Sequence, residues 1–446
     1  MKRIFLLLLC LALLTGCGAA PVREKDCFSV GYAAETVPID RERLEDYYVA
    51  GYRNGQSAAG VLDEPQVKAA VLDDNSGEGP VVLVSVDCVA LSSTDVSRIR
   101  STLRSFLRET NCRALHITAT HDHAGADTLG LWGPEGIDGK DDAFMALLRE
   151  KTAHCIRQAF ENRTDGELYF GSADTSAETI QEDTRAPIVY DPNLYSFRFV
   201  PFEETKQTVR LLNYASHAES LDGSNRYLSA DFPRFVADGL READGSEMLW
   251  FPGAIGGLIR TRFVEENRME NCRKTAESIV DAVLSIENEI RLTPQIVCAT
   301  ERFSVPCENT LFLAMKFLGI LEQRSHISGG TVRLDTELSA LRIGGKTVLL
   351  LPGEIFPELV YGGSDAPLLP DLCSVFGDDL LVFGLTDDEI GYIVPPESFR
   401  LSEKKPYIDT ERDETGENHY EETNSPGPET ARLLYEAAVR LREKLP

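Results

Sequence analysis

Two histidines, His121 and His123, stand two residues apart just after an alternating apolar and polar stretch at residues 115–120. Alternation with a period of two is typical of a β-strand, and the run ends in a polar loop that contains glycine. Side chains two positions apart in an extended chain point the same way, so the two imidazoles would share one face. Paired imidazoles suit a divalent metal ion. Spacing alone, however, favours the alternative of a hydrogen-bonded structural pair.

The motif around these histidines, THDHAG at residues 120–125, resembles the THTHSGP signature of the neutral ceramidase family. That family comprises zinc amidohydrolases that cleave the amide of N-acylsphingosine, together with shorter bacterial relatives. A second segment, NYASHAESLDG at residues 213–223, is followed by SADFP at 229–233 and resembles the family's second zinc-histidine segment. The two matches occur in the family's order, and its zinc histidines fall on His121 and His217.

Two later motifs complete the ligand set that the resemblance implies. PGE at residues 352–354 resembles a family motif whose Glu binds zinc, and GYIV at 391–394 resembles a motif with a zinc-bound Tyr. No spacing rule would select that tyrosine. The resemblance implies one zinc ion per chain, with the ligands His121, His217, Glu354 and Tyr392.

Further matches concern residues that would act on the substrate. TRAP at residues 184–187 resembles the segment whose arginine faces the substrate, although Arg185 is equally well explained as an ordinary surface charge. HYEETN at 419–424 resembles a segment whose Tyr faces the substrate carbonyl, here Tyr420. The resemblance implies that Arg185 and Tyr420 stabilise an oxyanion. His123 is the candidate for proton transfer.

One segment departs from the family pattern. WFPGAIGG at residues 250–257 occupies the stretch in which ceramidases carry a proposed catalytic Ser and a following Asp, and those places are Gly253 and Gly257 here. A covalent route needs a side-chain nucleophile beside a base. We therefore expect direct attack by a zinc-bound water, whose pKa zinc lowers to about 7.

The predicted elements place the candidate residues at strand ends. Strands are predicted at 67–72, 81–86, 168–171, 194–200, 209–216, 332–342, 346–351 and 380–385, and helices at 96–106, 141–162, 267–289, 310–321 and 429–444. The apolar stretch 310–321 is expected to be a buried helix or an acyl-binding wall, being too short for a transmembrane span. We predict one large α/β domain with mixed β-sheets packed between helices. The resemblance implies that the immunoglobulin-like C-terminal domain of full ceramidases is missing.

The N-terminus resembles a bacterial lipoprotein signal. Lys2 and Arg3 precede eleven apolar residues, which are too few to span a bilayer and are typical of a signal peptide. The following LTGC resembles a lipobox, in which Cys17 is diacylated and becomes the first mature residue; a cleaved signal without lipid is the alternative. We predict a signal peptide at 1–16, a lipidated tether at 17–27 and a catalytic domain at 28–446. The protein would be exported and anchored at the outer face of the bacterial cell membrane.

Composition limits the partners. A net charge of −27 argues against nucleic acid and against electrostatic adhesion to anionic lipid, because both would be repelled. Cys10 lies in the signal, and the eight cysteines after Cys17 form no C-x-x-C motif, so their pairing cannot be deduced. Membrane attachment is therefore assigned to the lipid anchor alone.

The predicted function is zinc-dependent hydrolysis of an amide, less favourably an ester, in an N-acylated, lipid-like substrate. Two alternatives stay open. A metal-dependent deacylase with the same ligands would act on N-acyl groups of carbohydrate or peptidoglycan. A non-catalytic, surface-binding lipoprotein would explain the absence of the family's Ser and Asp.

Overall fold

The structure is a computed structural model that describes residues 25–175, 180–262, 266–414 and 416–445. The predicted signal peptide and Cys17 lie outside the described residues. The strands are β1 (Phe28–Thr36), β2 (Gly60–Val61), β3 (Gln66–Asp73), β4 (Val81–Val86), β5 (Ala114–Ala119), β6 (Thr164–Asp174), β7 (Gln181–Glu182), β8 (Asn193–Pro201), β9 (Val209–Tyr214), β10 (Tyr227–Leu228), β11 (Glu247–Pro252), β12 (Arg260–Thr261), β13 (Ile290–Arg291), β14 (Ile296–Pro306), β15 (Ser325–Ser328), β16 (Thr331–Ile343), β17 (Lys346–Leu350), β18 (Glu354–Ile355), β19 (Leu381–Phe383) and β20 (Tyr392–Ile393). The helices are α1 (Ser93–Thr102), α2 (Arg104–Glu109), α3 (Asp142–Glu161), α4 (Asp231–Ala243), α5 (Arg268–Leu284), α6 (Thr310–Phe317), α7 (Pro357–Tyr361), α8 (Cys373–Phe376), α9 (Tyr420–Thr423) and α10 (Thr430–Lys444).

Two mixed sheets form the centre of the fold. The larger has nine strands in the order β11-β9-β8-β6-β1-β3-β4-β5, with β13 paired to β6, and the smaller has five in the order β14-β16-β17-β19, with β15 paired to β16. The pairs β4/β5, β9/β11 and β17/β19 are parallel. Parallel neighbours end at the same sheet edge, so the loops that follow them gather in one region.

The sheets stack face to face and are covered by helices on their outer sides. Strand β3 shows why: Val67 and Val71 pack in the cluster that includes α1 and α3, whereas Ala70 and Leu72 pack in the cluster shared with the smaller sheet. Alternate residues of a strand face opposite sides, so a strand covered on both faces is mostly apolar; in β3 the exception is the buried Lys68, which lies 3.7 Å from Asp87. Helices α4 and α5 cover β9 and β11, and α10 covers the smaller sheet. The predicted α/β architecture is confirmed.

Two predicted helices differ from the structure. The helix expected at 96–106 is divided into α1 and α2, with Leu103 between them. The apolar segment 310–321 forms only the eight-residue α6, which buries Phe312 but leaves Phe317 91% exposed. Of the two alternatives, the buried helix is wrong, because α6 lies at the surface and covers the core with one face only; Phe312 and Leu321 of this segment line a cavity.

The described part of the chain has neither a membrane-spanning helix nor a disulfide. No helix there has the length and apolar content needed to cross a bilayer. All eight cysteines from Cys27 onward are free thiols, five of them buried. The structured core is therefore held by packing and hydrogen bonds without a covalent cross-link among these residues.

Candidate metal centre

Strand ends from both sheets deliver the predicted ligands to one place. His121 follows β5, His217 follows β9, and Glu354 opens β18 shortly after β17. Strand β18 pairs in parallel with β20, where Glu354 lies opposite Tyr392. The two histidine loops are joined directly, because the backbone N–H of His123 donates to the carbonyl of Ala218 at 2.9 Å.

Backbone carbonyls fix the rings of His121 and His217. Nδ1 of His121 lies 2.8 Å from the carbonyl of Val89, and Nδ1 of His217 lies 2.5 Å from that of Ile259. A carbonyl oxygen only accepts, so each Nδ1 carries the proton and each Nε2 presents a lone pair. His121 has a φ of +60°, a left-handed conformation that is uncommon for residues other than glycine. This turn directs its imidazole back toward His217.

The free ring nitrogens and one carboxylate converge. Oε2 of Glu354 is 3.0 Å from Nε2 of His217 and 3.4 Å from Nε2 of His121, whose Nε2 is 3.1 Å from that of His123. Tetrahedral zinc with bonds near 2.0–2.1 Å separates adjacent ligand atoms by roughly 3.3 Å. One ligand nitrogen from each of the three histidines lies within 4.8 Å of the others. The donor types and spacings therefore fit a zinc ion.

Mutual electrostatics prepare these groups for a cation. Burial raises the pKa of Glu354, but His121 and His217 outweigh it, so the carboxyl pKa is below its ordinary value. Burial lowers the pKa of His217 while Glu354 raises it, with a net increase. Burial and the other two histidines lower the pKa of His123 well below its ordinary value. At neutral pH, Glu354 is ionised and His123 is neutral.

Two tyrosines lie beside the cluster. Tyr392 is buried, and its pKa is raised well above the ordinary value by burial and by Glu354. Tyr420 begins α9, its ring centroid is 6.4 Å from that of Tyr392, and desolvation together with Glu354 raises its pKa to about 12. Both phenols are neutral at physiological pH. They can therefore donate hydrogen bonds to a developing negative charge.

A cavity of about 90 Å³ opens onto the cluster. Its polar lining includes His121, His123, Glu354, Tyr392 and Tyr420. Its apolar lining comes from the loop after β5 and from the α6 region, with Leu129, Leu131, Trp132, Phe312 and Leu321. The space accommodates a small reacting group, with polar groups on one side and apolar walls on the other.

Arg185 does not line this cavity. Its guanidinium donates to Glu421 at 2.9 Å and to both carboxylate oxygens of Glu422 at 2.9 and 3.1 Å, and it stacks 5.0 Å from the ring centroid of Phe356. Arg185 is therefore neither a substrate-facing group nor a surface charge, which were the two expectations. Its side chain is buried, and both terminal nitrogens already donate to carboxylates. Arg185 instead ties down α9, the helix that begins with Tyr420.

Sequence reasoning missed Glu389 and Gln323, which line the same cavity. Oε2 of Glu389 and Oε1 of Gln323 are buried and have no hydrogen-bond partner in the described structure. Burial, followed by Glu354, raises the pKa of Glu389 well above its ordinary value. The one sequence signal was an acidic residue three positions before Tyr392.

Gly253, in the segment that resembles the stretch with the ceramidases' serine, has no room for a side chain. A Cβ at Gly253 would lie 2.9 Å from Cβ of Ala215 and 3.1 Å from its Cα. Those atoms belong to the backbone and its first side-chain carbon, so only a shift of the chain would relieve the clash. The structure thus contains no nucleophile at this position.

By sequence, no protein-family model and no curated protein matches the chain. Two solved ceramidase structures do match the fold. The neutral ceramidase from Pseudomonas aeruginosa matches with a TM-score of 0.70 and 13% identity, over 95% of this chain and 76% of that chain. A ceramidase structure described as complexed with C2 matches with the same values. The fold is ceramidase-like. At 13% identity the likeness establishes the fold alone.

Proposed function

We propose that this chain is a zinc-dependent hydrolase that cleaves an amide bond in an N-acylated, lipid-like substrate. The observation that carries the proposal is the convergence of His121, His217 and Glu354 beside a largely apolar cavity, which His121 and Glu354 line. The likeness of the fold to solved ceramidases supports an amide rather than another acyl bond. The apolar lining supports a substrate with a hydrocarbon portion.

The ion would be held by His121, His217, Glu354 and Tyr392. Bound zinc supplies polarisation of a carbonyl and a water acidic enough to ionise near neutral pH. The chain's own residues supply the rest. Tyr420 lines the cavity as a neutral phenol and would donate a hydrogen bond to the carbonyl oxygen as charge develops on it.

His123 differs from the two anchored histidines in a way that supports its assignment to proton transfer. Its Nδ1 is buried and has no hydrogen-bond partner among the described residues, whereas Nδ1 of His121 and of His217 is fixed on a carbonyl. A neutral imidazole can accept a proton at its free ring nitrogen and pass it on. Its Nε2 is also near enough to the cluster to ligate, so the two roles need separate tests.

Export and anchoring complete the proposal. We propose that residues 1–16 are removed, that Cys17 carries the lipid, and that the catalytic domain works at the outer face of the cell membrane. A diacylated cysteine would retain the domain there, since each buried CH₂ contributes roughly 0.8 kcal/mol.

Metal analysis of purified protein, coupled to an amidase screen, tests the proposal. We expect about one zinc per chain, lost in His121→Ala, His217→Ala and Glu354→Ala, and retained in His123→Ala with a reduced rate. His154→Ala is the matched control, because this exposed histidine pairs with Glu35 away from the cavity. Loss of zinc from His123→Ala would show that the roles are assigned wrongly.

The substrate panel compares N-acyl sphingoids with N-acyl sugars. Preference for the sugars would favour the deacylase alternative. Protein that retains zinc but turns over neither class would refute the enzyme and favour a binding lipoprotein.

A further inference from the structure

We propose that Glu219 is the positioning residue for His123, holding its imidazole so that Nδ1 carries the proton and Nε2 faces the reaction. The inference deepens the proposed function and rests on it, since it concerns the residue assigned to proton transfer. Glu219 stands two residues after His217 and lies outside the cavity lining.

The Nδ1 atom of His123 faces the carboxylate of Glu219. This atom is buried without a hydrogen bond in the described structure, and Oε2 of Glu219 lies 3.7 Å from it. That separation exceeds a hydrogen bond, so a movement of less than one ångström would be needed to form one. Catalytic hydrogen bonds are often long in unliganded proteins and tighten when the substrate binds.

The second support is that both partners are already held in place. The hydroxyl of Tyr52 donates to Oε2 of Glu219 at 2.6 Å, and the Tyr52 ring packs edge-on against His123 with centroids 5.4 Å apart. A Cβ at Gly51 would lie 2.6 Å from the His123 ring, so the backbone there closely abuts the imidazole. Glu219 and His123 are therefore enclosed by one wall, residues 51–52, which keeps the carboxylate facing Nδ1.

The third support is chemical. Carbonyls of Val89 and Ile259 fix the two anchored histidines, whereas the group facing His123 is a carboxylate. A carboxylate facing Nδ1 accepts from Nδ1–H, so it holds the ring with Nε2 directed away from Glu219 and toward the other histidines.

The experiment uses the full chain with Glu219→Gln, which keeps size and loses charge. Its matched control is Glu35→Gln, because Glu35 pairs with His154 Nδ1 at 2.8 Å far from the cavity. Nitrogen-15 NMR of His123 reports the tautomer in metal-free and zinc-loaded protein, alongside zinc content, kcat and KM. We expect Nδ1–H alone in wild type, a mixture of tautomers in Glu219→Gln because an amide can either accept from Nδ1–H or donate to Nδ1, and a fall in kcat of about 10- to 100-fold with KM little changed.

Specific results would overturn the inference. Nε2–H on His123 in wild-type protein would refute it without any variant, which covers the case in which Glu219→Gln does not fold. An unchanged tautomer and kcat in a folded Glu219→Gln would also refute it. Failure of the proposed function looks different, because wild type would then contain no zinc or hydrolyse no amide whatever the His123 tautomer.

Discussion

Replacing Arg185 with methionine should cost about 3–5 kcal/mol of unfolding free energy, because it removes the guanidinium from two buried carboxylates and leaves His419 beside Glu422. The side chains of Arg185, Glu421 and Glu422 are 4%, 1% and 0% exposed, so water cannot take the place of the guanidinium. The apolar stem of methionine refills much of the volume, so the loss is chiefly electrostatic. Urea denaturation followed by circular dichroism measures it.

The compensating variant makes this test selective. Adding Glu421→Gln and Glu422→Gln to Arg185→Met removes the unpaired charges and should restore most of the lost stability. A loss below about 1 kcal/mol in the single variant would equal that of an exposed ion pair and would refute the reasoning.

Activity of the same variants separates two roles for Arg185. If it acts only by holding α9, and thereby Tyr420, the triple variant should regain kcat together with stability. If it donates directly to an oxyanion, kcat should stay reduced by about 10²- to 10³-fold after stability has recovered. The occupied donors of the guanidinium favour the first result.

Three further outcomes are expected. Burial raises the pKa of Asp388 to about 7, so its contribution to stability is present below pH 4 and lost as pH rises through 7. The free energy of unfolding should therefore fall between pH 5 and 8 by up to about 3 kcal/mol less in Asp388→Asn than in wild type. Thermal unfolding at each pH measures this, and an equal fall in the two proteins would contradict it. Cys17→Ala should release the protein from the membrane fraction, and retention at high salt would implicate a second attachment. With an activated acyl substrate, rapid-quench kinetics should show no burst of leaving group, and intact-mass measurement should show no acyl adduct. A burst equal to the enzyme concentration, together with the added mass of the acyl group, would refute direct attack by water.

The sequence was informative wherever a signal is local. Short apolar runs located β3, β4, β9 and β17, alternation located β5, and the strand ends located the histidines. Contacts between distant segments were out of reach. Arg185 and Glu421 are 236 residues apart in the chain, and only the packing of α9 against the loop before β8 brings them together. Glu219 presented the same difficulty, because its proximity to His123 arises from the pairing of two loops.

Backbone atoms do much of the positioning at this centre. Carbonyls of Val89 and Ile259 orient the anchored histidines, and a main-chain bond joins the loops that carry His123 and Ala218. Such contacts survive replacement of the surrounding side chains, so the cluster can persist where little sequence is shared. The side chains behind it are free to change. At Gly253 a serine would displace Ala215, so Gly253→Ser alone would not supply a nucleophile. The proposed assignment of proton transfer to His123, with the carboxylate of Glu219 3.7 Å from its Nδ1, needs no side chain at Gly253.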